Sequence, residues 1–346
     1  MLSAPTVPPI DISDHAFDEF EELRGLDLPR VKVDRARLVS PRGREVVVES
    51  EGMLEIFART DFDGALRSLA ARAGARLVPA RVREVFPGDA PRVGFEGGEE
   101  RFDLLVGADG ARSLVGRRAG LSLPRARLCP SVGSLVRGVD PREGATMVFY
   151  RGIRGYLWVF PRTDRTSVGI VARPGEASAA DLRRRVAAYL EKRLPQAAVV
   201  GSYGWVIPAP AADGRPPVPV LAEGVALVGD AAGIVDPITG EGIYYALASS
   251  RLLAEAILCG RIAEYPERVE ERIVPELSRS GAWAERYFKP RVLETILAAA
   301  GRSARVRTLI ADLVSGRQRY ATLPERILSS PGGRLLAAVF RTFLAA

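Results

Sequence analysis

Val225–Tyr245, VALVGDAAGIVDPITGEGIYY, passes from a strand through a glycine-rich turn into a helix. Val225–Val228 is a short apolar run of strand-like composition, and Ile243–Ala256 reads as helix. Between them stand Gly229, Gly233, Gly240, Pro237 and the acids Asp230, Asp236 and Glu241. A strand that feeds such a turn and then a helix start leaves backbone N–H groups at the positive end of the helix dipole. Those groups hold an anion or a polarised ring edge. Gly240 and Gly242 let backbone approach a flat ligand, because neither carries a Cβ. Asp230, just past the strand, can accept from a sugar hydroxyl. Taken alone, one glycine turn also fits an ordinary βα connection.

Working outward, Phe102–Arg118 reads FDLLVGADGARSLVGRR. Leu104–Val106 is a continuous apolar run, as a buried parallel strand should be. Gly107, Asp109 and Gly110 then turn the chain, and Ser113 can cap a short helix. Upstream, Thr60 and Asp63 have the spacing of a capping box. Phe62, Leu66, Leu69 and Ala73 fall on one helical stripe that Gly74 stops. Strand-like runs precede this helix at Val31–Val39, Glu45–Glu49 and Met53–Phe57. Others follow it at Arg76–Val78, Val82–Phe86 and Val93–Glu96.

Val225–Tyr245 resembles the second FAD-binding motif of the glutathione-reductase-type flavoproteins: GD, a small-residue turn, a proline and G-x-G. Phe102–Arg118, preceded by the Arg59-x-x-Phe62-Asp63-x-x-Leu66 helix, resembles the DG motif of FAD-dependent hydroxylases and reductases. The resemblance implies a non-covalent FAD site made by Arg59, Asp109, Gly110, Gly229, Asp230, Ala231, Ala232, Gly233, Pro237, Gly240, Glu241, Gly242 and Ile243. In those families the Asp of the GD pair meets the ribityl chain, and the Asp of the DG pair lies near the ribose and pyrophosphate.

The middle, 129–208, alternates like antiparallel sheet and is interrupted by one helix, Ala180–Leu194, with Leu182, Val186, Tyr189 and Leu190 on a stripe. Such alternation implies one covered and one open face. In Gly155–Pro161, GYLWVFP, the side chains of Tyr156, Trp158 and Phe160 share one face of a strand. Three aromatics on one face make a core wall or an apolar ligand wall, and spacing alone favours core. The string resembles the Y-x-W-x-F-P signature of the geranylgeranyl reductase family, followed here by Val168-Gly169. That resemblance implies that Tyr156, Trp158 and Phe160 line a cavity for a prenyl or other apolar substrate.

Composition narrows the remaining classes. With 346 residues there is enough chain for one large domain or two smaller ones. Two cysteines, Cys129 and Cys259, give neither a disulfide framework nor metal spacing, so a reducing compartment is expected. His15 is the only histidine, which argues against a histidine-based triad. No run has the roughly 18 apolar residues of a transmembrane helix, and the first residues do not read as a signal peptide. The net charge is +7, and residues 286–346 hold 11 Lys/Arg against three acids, leaving −1 for everything before them. Either a solvated helical face or an anionic surface, lipid or nucleic acid, accounts for that bias, and of the two surfaces the membrane is the one expected. No nucleic acid is expected. The last stretch, Arg334–Ala346, is apolar nearly all round and could lie in an interface.

The expected fold is α/β, α+β overall: a doubly wound FAD-binding domain from 1–128 and 209–262, an antiparallel substrate sheet from 129–208, and a helical basic region from 263–346. Such flavoproteins begin with a strand and G-x-G-x-x-G. Nothing before residue 58 has that pattern, so the doubly wound domain is expected to be incomplete at its N-terminus. The family's Cys-Gly segment is also missing. The expected activity is reduction of prenyl C=C bonds by reduced FAD, with NAD(P)H or another donor, in the cytoplasm or at the inner face of a membrane. The rivals are a flavin monooxygenase or halogenase and a FAD-free remnant.

Overall fold

The computed structural model describes residues 10–209, 211 and 213–329. The chain forms two compact units. The first comprises the chain up to Ala65, Pro130–Trp205 and the chain from Trp283 onward; the second comprises Leu66–Cys129 and Val206–Ala282. Helices α3 (Arg59–Arg72) and α9 (Val274–Tyr287) carry the chain from one to the other.

The first unit is built on an eight-stranded sheet in the order β1-β3-β2-β9-β10-β11-β8-β12. Its strands are β1 (Ile10–Ser13), β2 (Arg30–Val39), β3 (Glu45–Phe57), β8 (Leu128–Arg137), β9 (Ala145–Val148), β10 (Leu157–Pro161), β11 (Thr166–Val171) and β12 (Ala198–Pro208). The β2–β9 pair is parallel, with Arg37 beside Thr146; the pairs β1–β3, β2–β3, β9–β10, β10–β11 and β11–β8 are antiparallel. Short helices α1 (Asp14–Glu19) and α2 (Glu21–Arg24) follow β1. On one face lies α5 (Ala179–Arg193), whose Leu182, Val186 and Leu190 pack on Leu157, Val159, Val168 and Ile170. Ser178 and Asp181 form a complete capping box at its start. Helices α10 (Pro290–Arg302) and α11 (Ala304–Val314) pack on β3, and α12 (Leu323–Ser329) follows.

In the second unit, β7 (Leu105–Gly107) and β14 (Val225–Leu227) run parallel, and β13 (Leu221–Ala222) flanks β14. A second sheet joins β4 (Val82–Phe86), β5 (Arg92–Phe95) and β6 (Gly98–Arg101). Helices α4 (Leu114–Arg118), α6 (Gly229–Ala232), α7 (Ile243–Leu258) and α8 (Tyr265–Arg272) complete it. All of β14 is buried, together with Leu252, Leu253 and Ala256 of α7 and Val269 of α8. Tyr265 Oη donates to the Leu227 carbonyl at 2.8 Å, tying α8 to that strand.

The α/β class and the helical C-terminal region agree with expectation, and several local readings do not. Residues 10–57 join the large sheet rather than the glycine-turn unit, because β2 pairs with β9 across a long stretch of chain. Glu45–Glu49 and Met53–Phe57 are one strand: a register shift at Asp34 absorbs Ser50–Gly52, and the Asp34 carboxylate accepts from Gly52 N at 2.7 Å. Thr60 is not a cap. It lies inside α3, where the Ala58 carbonyl accepts from Asp61 and Phe62 N, and Asp63 pairs with Arg59. Arg76–Val78 is not a strand and joins none of the three sheets. The sheet has no open face along β10, every residue of which is buried. Arg334–Ala346 lies outside the described residues. Among those described, no helix is long and apolar enough to cross a membrane.

Candidate functional site

The turn after β14 is held from beneath by side chains and left open above. Gly229 has φ +53, and a Cβ there would stand 2.9 Å from Ala246 Cβ, so the strand crosses α7 at a distance only glycine permits. Its N–H donates to Ser249 Oγ at 3.0 Å, and that hydroxyl donates onward to the Tyr245 carbonyl at 2.8 Å. Ala231 and Ala232 are buried in the core, with only backbone to offer a ligand. Asp236 is buried too. It accepts from Ile238 N at 2.8 Å, Thr239 N at 2.7 Å and Ser280 Oγ at 2.8 Å, closing the turn that contains Pro237. Burial pushes its carboxyl above the usual carboxylate range despite those bonds.

Above this base, Gly240, Glu241, Gly242 and Ile243 lead into α7, which begins at Gly242 without a side-chain cap. A Cβ on Gly242 would lie 2.9 Å from Asp230 Oδ1. The Asp230 carboxylate therefore stands at the N-terminus of α7, in space kept clear by a glycine. With glycine at the cap position no cap side chain takes the first N–H groups of the helix, and such groups can hold an acceptor.

The second acid is next door. β7 pairs with β14 in parallel, Gly107 opposite Leu227, and Val228 N donates to the Gly107 carbonyl at 3.1 Å. Asp109 and Asp230 thus leave the carboxyl ends of two adjacent parallel strands, the crevice where open α/β sheets take ligands. The Asp109 carboxylate also fixes its own loop. It accepts from Leu114 N at 2.6 Å, Val115 N at 3.3 Å and Ser113 Oγ, with Gly110 in the loop so held. Arg59 falls in the other unit, where its guanidinium donates to Asp63 at 2.6 Å.

In the first unit, Tyr156, Trp158 and Phe160 lie on the face of β10 opposite α5, only 8%, 7% and 4% exposed. Trp158 meets Tyr156 edge-on and Phe160 in a stack, with centroids 6.2 Å apart in each pair. Trp158 Nε1 donates to Ser167 Oγ at 3.2 Å, and Ser167 Oγ shares a 2.6 Å hydrogen bond with Tyr203 Oη. Burial pushes the Tyr203 phenol up to about 12, so it stays protonated at neutral pH. The pocket for these rings is cut by glycine: a Cβ on Gly169 would lie 2.3 Å from Trp158 Cζ2, and one on Gly133 2.3 Å from Tyr203 Cζ.

Two residues were missed in the sequence. Asp236 was noted only as an acid, since its partner Ser280 lies 44 residues on. Arg162 continues the alternation Tyr156, Trp158, Phe160 by one more step, a legible signal. Its side chain is 9% exposed; among the described residues its one ion-pair partner is Asp164 at 3.3 Å, and its Nε has no hydrogen-bond partner. Desolvation pushes its guanidinium below the usual arginine range.

Comparison with known proteins gives the family. Residues 56–260 match the FAD binding domain family. Digeranylgeranylglycerophospholipid reductase 2 of Methanopyrus kandleri is 32% identical over 277 residues, covering 74% of this chain and 65% of that protein. The protein of the same name from Methanothermobacter thermautotrophicus is 32% identical over 302 residues, covering 79% and 76%. The crystal structure of a geranylgeranyl bacteriochlorophyll reductase-like protein from Thermoplasma acidophilum superposes with a TM-score of 0.73 at 22% identity, over 92% of this chain and 87% of that one. The chain spans just under two thirds of the Methanopyrus protein it matches. With the glycine turn, the paired strand ends and the aromatic strand in family order, the chain belongs to the geranylgeranyl reductase family of FAD-dependent oxidoreductases.

Proposed function

We propose that the protein binds FAD at the turn after β14 and saturates C=C bonds in the prenyl chains of a lipid. The observation that carries this reading is the pair of acids at adjacent parallel strand ends, with Asp230 beside the uncapped start of α7. These residues fit the cofactor. Asp230 would accept from the ribityl hydroxyls, and the Gly242–Ile243 N–H groups would face the polarised edge of the ring. Asp109 would hold the loop carrying Gly110 against the ribose and pyrophosphate end. The small turn residues Gly229, Ala231, Ala232 and Gly233 shape the floor through backbone alone. Pro237, Gly240 and Glu241 define the rim.

Bound there and reduced, with NAD(P)H proposed as the donor, FAD would supply the hydride for alkene reduction, the second hydrogen arriving as a proton. The chain's own side chains bind and orient. Tyr156, Trp158 and Phe160 offer an apolar surface for a prenyl chain. Arg162, poorly satisfied at the end of that row, suits an anionic headgroup such as the phosphate of a glycerophospholipid. Arg59 is placed on the cofactor by family resemblance alone, and its bond to Asp63 must yield first.

The arginines of the C-terminal helices favour work at an anionic membrane surface on the cytoplasmic side. Some of them already serve the fold: Arg326 pairs with Asp312 at 2.6 Å, and Arg307 donates to the Ala300 carbonyl at 2.9 Å.

The test is anaerobic incubation of the chain with FAD, chemical reductant and a geranylgeranyl phospholipid, read by mass spectrometry. Gain of one H2 per double bond is the expected result. Oxygen insertion on admitting air would support a monooxygenase, and no flavin retention would support the FAD-free remnant.

A further inference from the structure

The eight-stranded sheet ends differently on its two sides. β1, at one end, has 4 residues and carries Asp11. β12, at the other, is 11 residues long, and no described strand pairs with its outer side. A row of unpaired N–H and C=O groups invites another strand, so sheet edges are ordinarily guarded by shortness, charge or proline. β12 has none of these guards before its last residue, Pro208. No Asp, Glu, Lys or Arg stands anywhere between Arg193 and Asp213, in a chain that is 26% charged.

The side chains on this edge are apolar and outward. Val199 is 58% exposed, Val200 44% and Trp205 43%. Side chains alternate between the faces of a strand, so Val199 and Trp205 share the face of Tyr203, whose hydroxyl meets Ser167 beside the aromatic row. Val200 and Gly204 lie on the opposite face, and a Cβ on Gly204 would meet only the Ser131 carbonyl oxygen, at 3.9 Å. Ser202 is exposed and stands midway between Val199 and Trp205.

A strand with this spacing is complementary to itself. Antiparallel pairing of two copies about a two-fold axis through Ser202 sets each Val199 opposite the second copy's Trp205. An aromatic ring against a β-branched side chain is a favourable cross-strand pair, and the axis makes it twice. On the other face each Val200 falls opposite a Gly204, which leaves room for it. The absence of charge means that no like charges meet across the axis, and that nothing on the edge selects a charged strand instead.

We propose that β12 is an interface between two copies of this chain, joined edge to edge so that the large sheet continues across the two-fold axis. Such a pairing is isologous and closes at two. Contact along one strand edge is a small interface, at or below the roughly 1,200 Å² where stable ones begin. Half-dimerisation is therefore expected at about 10–100 μM. The pairing needs neither flavin nor substrate.

The test is sedimentation velocity of the full chain over about 1–200 μM, a range that brackets that constant, with circular dichroism to confirm folding. A monomer–dimer equilibrium is expected. Val199→Lys and Trp205→Glu should each weaken it by about tenfold or more, since each breaks both cross-strand pairs. The double variant, Val199→Lys with Trp205→Glu, sets lysine opposite glutamate across the axis and should recover the dimer. Cys129 is buried and Cys259 exposed. Ser202→Cys in a chain that also carries Cys259→Ser should therefore cross-link to a dimer through a short bismaleimide, because position 202 meets itself. A monomer throughout the range, a dimer that neither single variant weakens, assembly beyond two, or a Ser202→Cys dimer that does not cross-link overturns the proposal. The cross-link decides the matter even where the charged variants fail to fold.

Discussion

The turn after β14 and the strand β10 both carry family motifs, and they are built in opposite ways. The turn is made of backbone, with an acid standing in space that a single methyl would fill. The strand carries large, mostly buried rings that touch one another, in a slot cut into the sheet by Gly133 and Gly169. Glycine thus does two jobs in one molecule. At Gly242 its missing side chain leaves room for the Asp230 carboxylate; at Gly169 the room is filled by Trp158. The difference predicts that damage to the strand will appear mainly as lost stability, and damage to the turn as lost ligand.

The largest effect is expected at Trp158. Trp158→Ala removes a buried ring with stacking and hydrogen-bond partners and should cost about 3–5 kcal/mol in denaturant unfolding. A loss under about 1 kcal/mol would show that the row is a loose ligand wall, and the contrast with the turn would fail. Next comes Gly169→Ala, whose methyl meets Trp158 and Tyr203. Overpacking of this kind costs about 1–3 kcal/mol, and a stability equal to wild type would mean that Trp158 and Tyr203 move aside freely.

A smaller effect comes from Asp236, the buried acid that closes the turn. Its folded pKa is raised, so the folded chain keeps the proton to a higher pH than the unfolded chain. Stability from this group is full below the unfolded carboxylate range and is lost as pH rises through the folded value. Asp236→Asn, which can still accept from Ile238 and Thr239 N, should not show that loss. The stability of wild type relative to the variant should therefore increase as pH falls from neutral into the carboxylate range. A constant difference would contradict the burial of an ionisable carboxyl there.

The turn was legible because its chemistry is local. Glycine positions, a proline and an acid just past a strand fix backbone geometry within twenty-odd residues, and β14 and α7 formed where the pattern put them. The DG loop was legible for the same reason, and Ser113 caps α4 as its position implied. Pairing across long separations was not. Nothing near Arg37 announces that Thr146 will lie beside it, so the sheet order stayed hidden. Ser50–Gly52 reads as a turn, and only the bulge opposite Asp34 lets β3 run through it. Thr60 had the spacing of a cap, but the Ala58 carbonyl started the helix first. The open face expected of the middle sheet is absent along β10, because α5 covers one side while the aromatic rings occupy the other.

The account rests on Asp230 as a ligand-facing acid, and FAD titration of the flavin-stripped chain tests it most directly. Asp230→Ala removes a charge-assisted hydrogen bond of about 1.5–3 kcal/mol, so FAD affinity should fall by about ten- to a hundredfold. Undiminished affinity in a folded Asp230→Ala chain would contradict the assignment of the turn as the cofactor site.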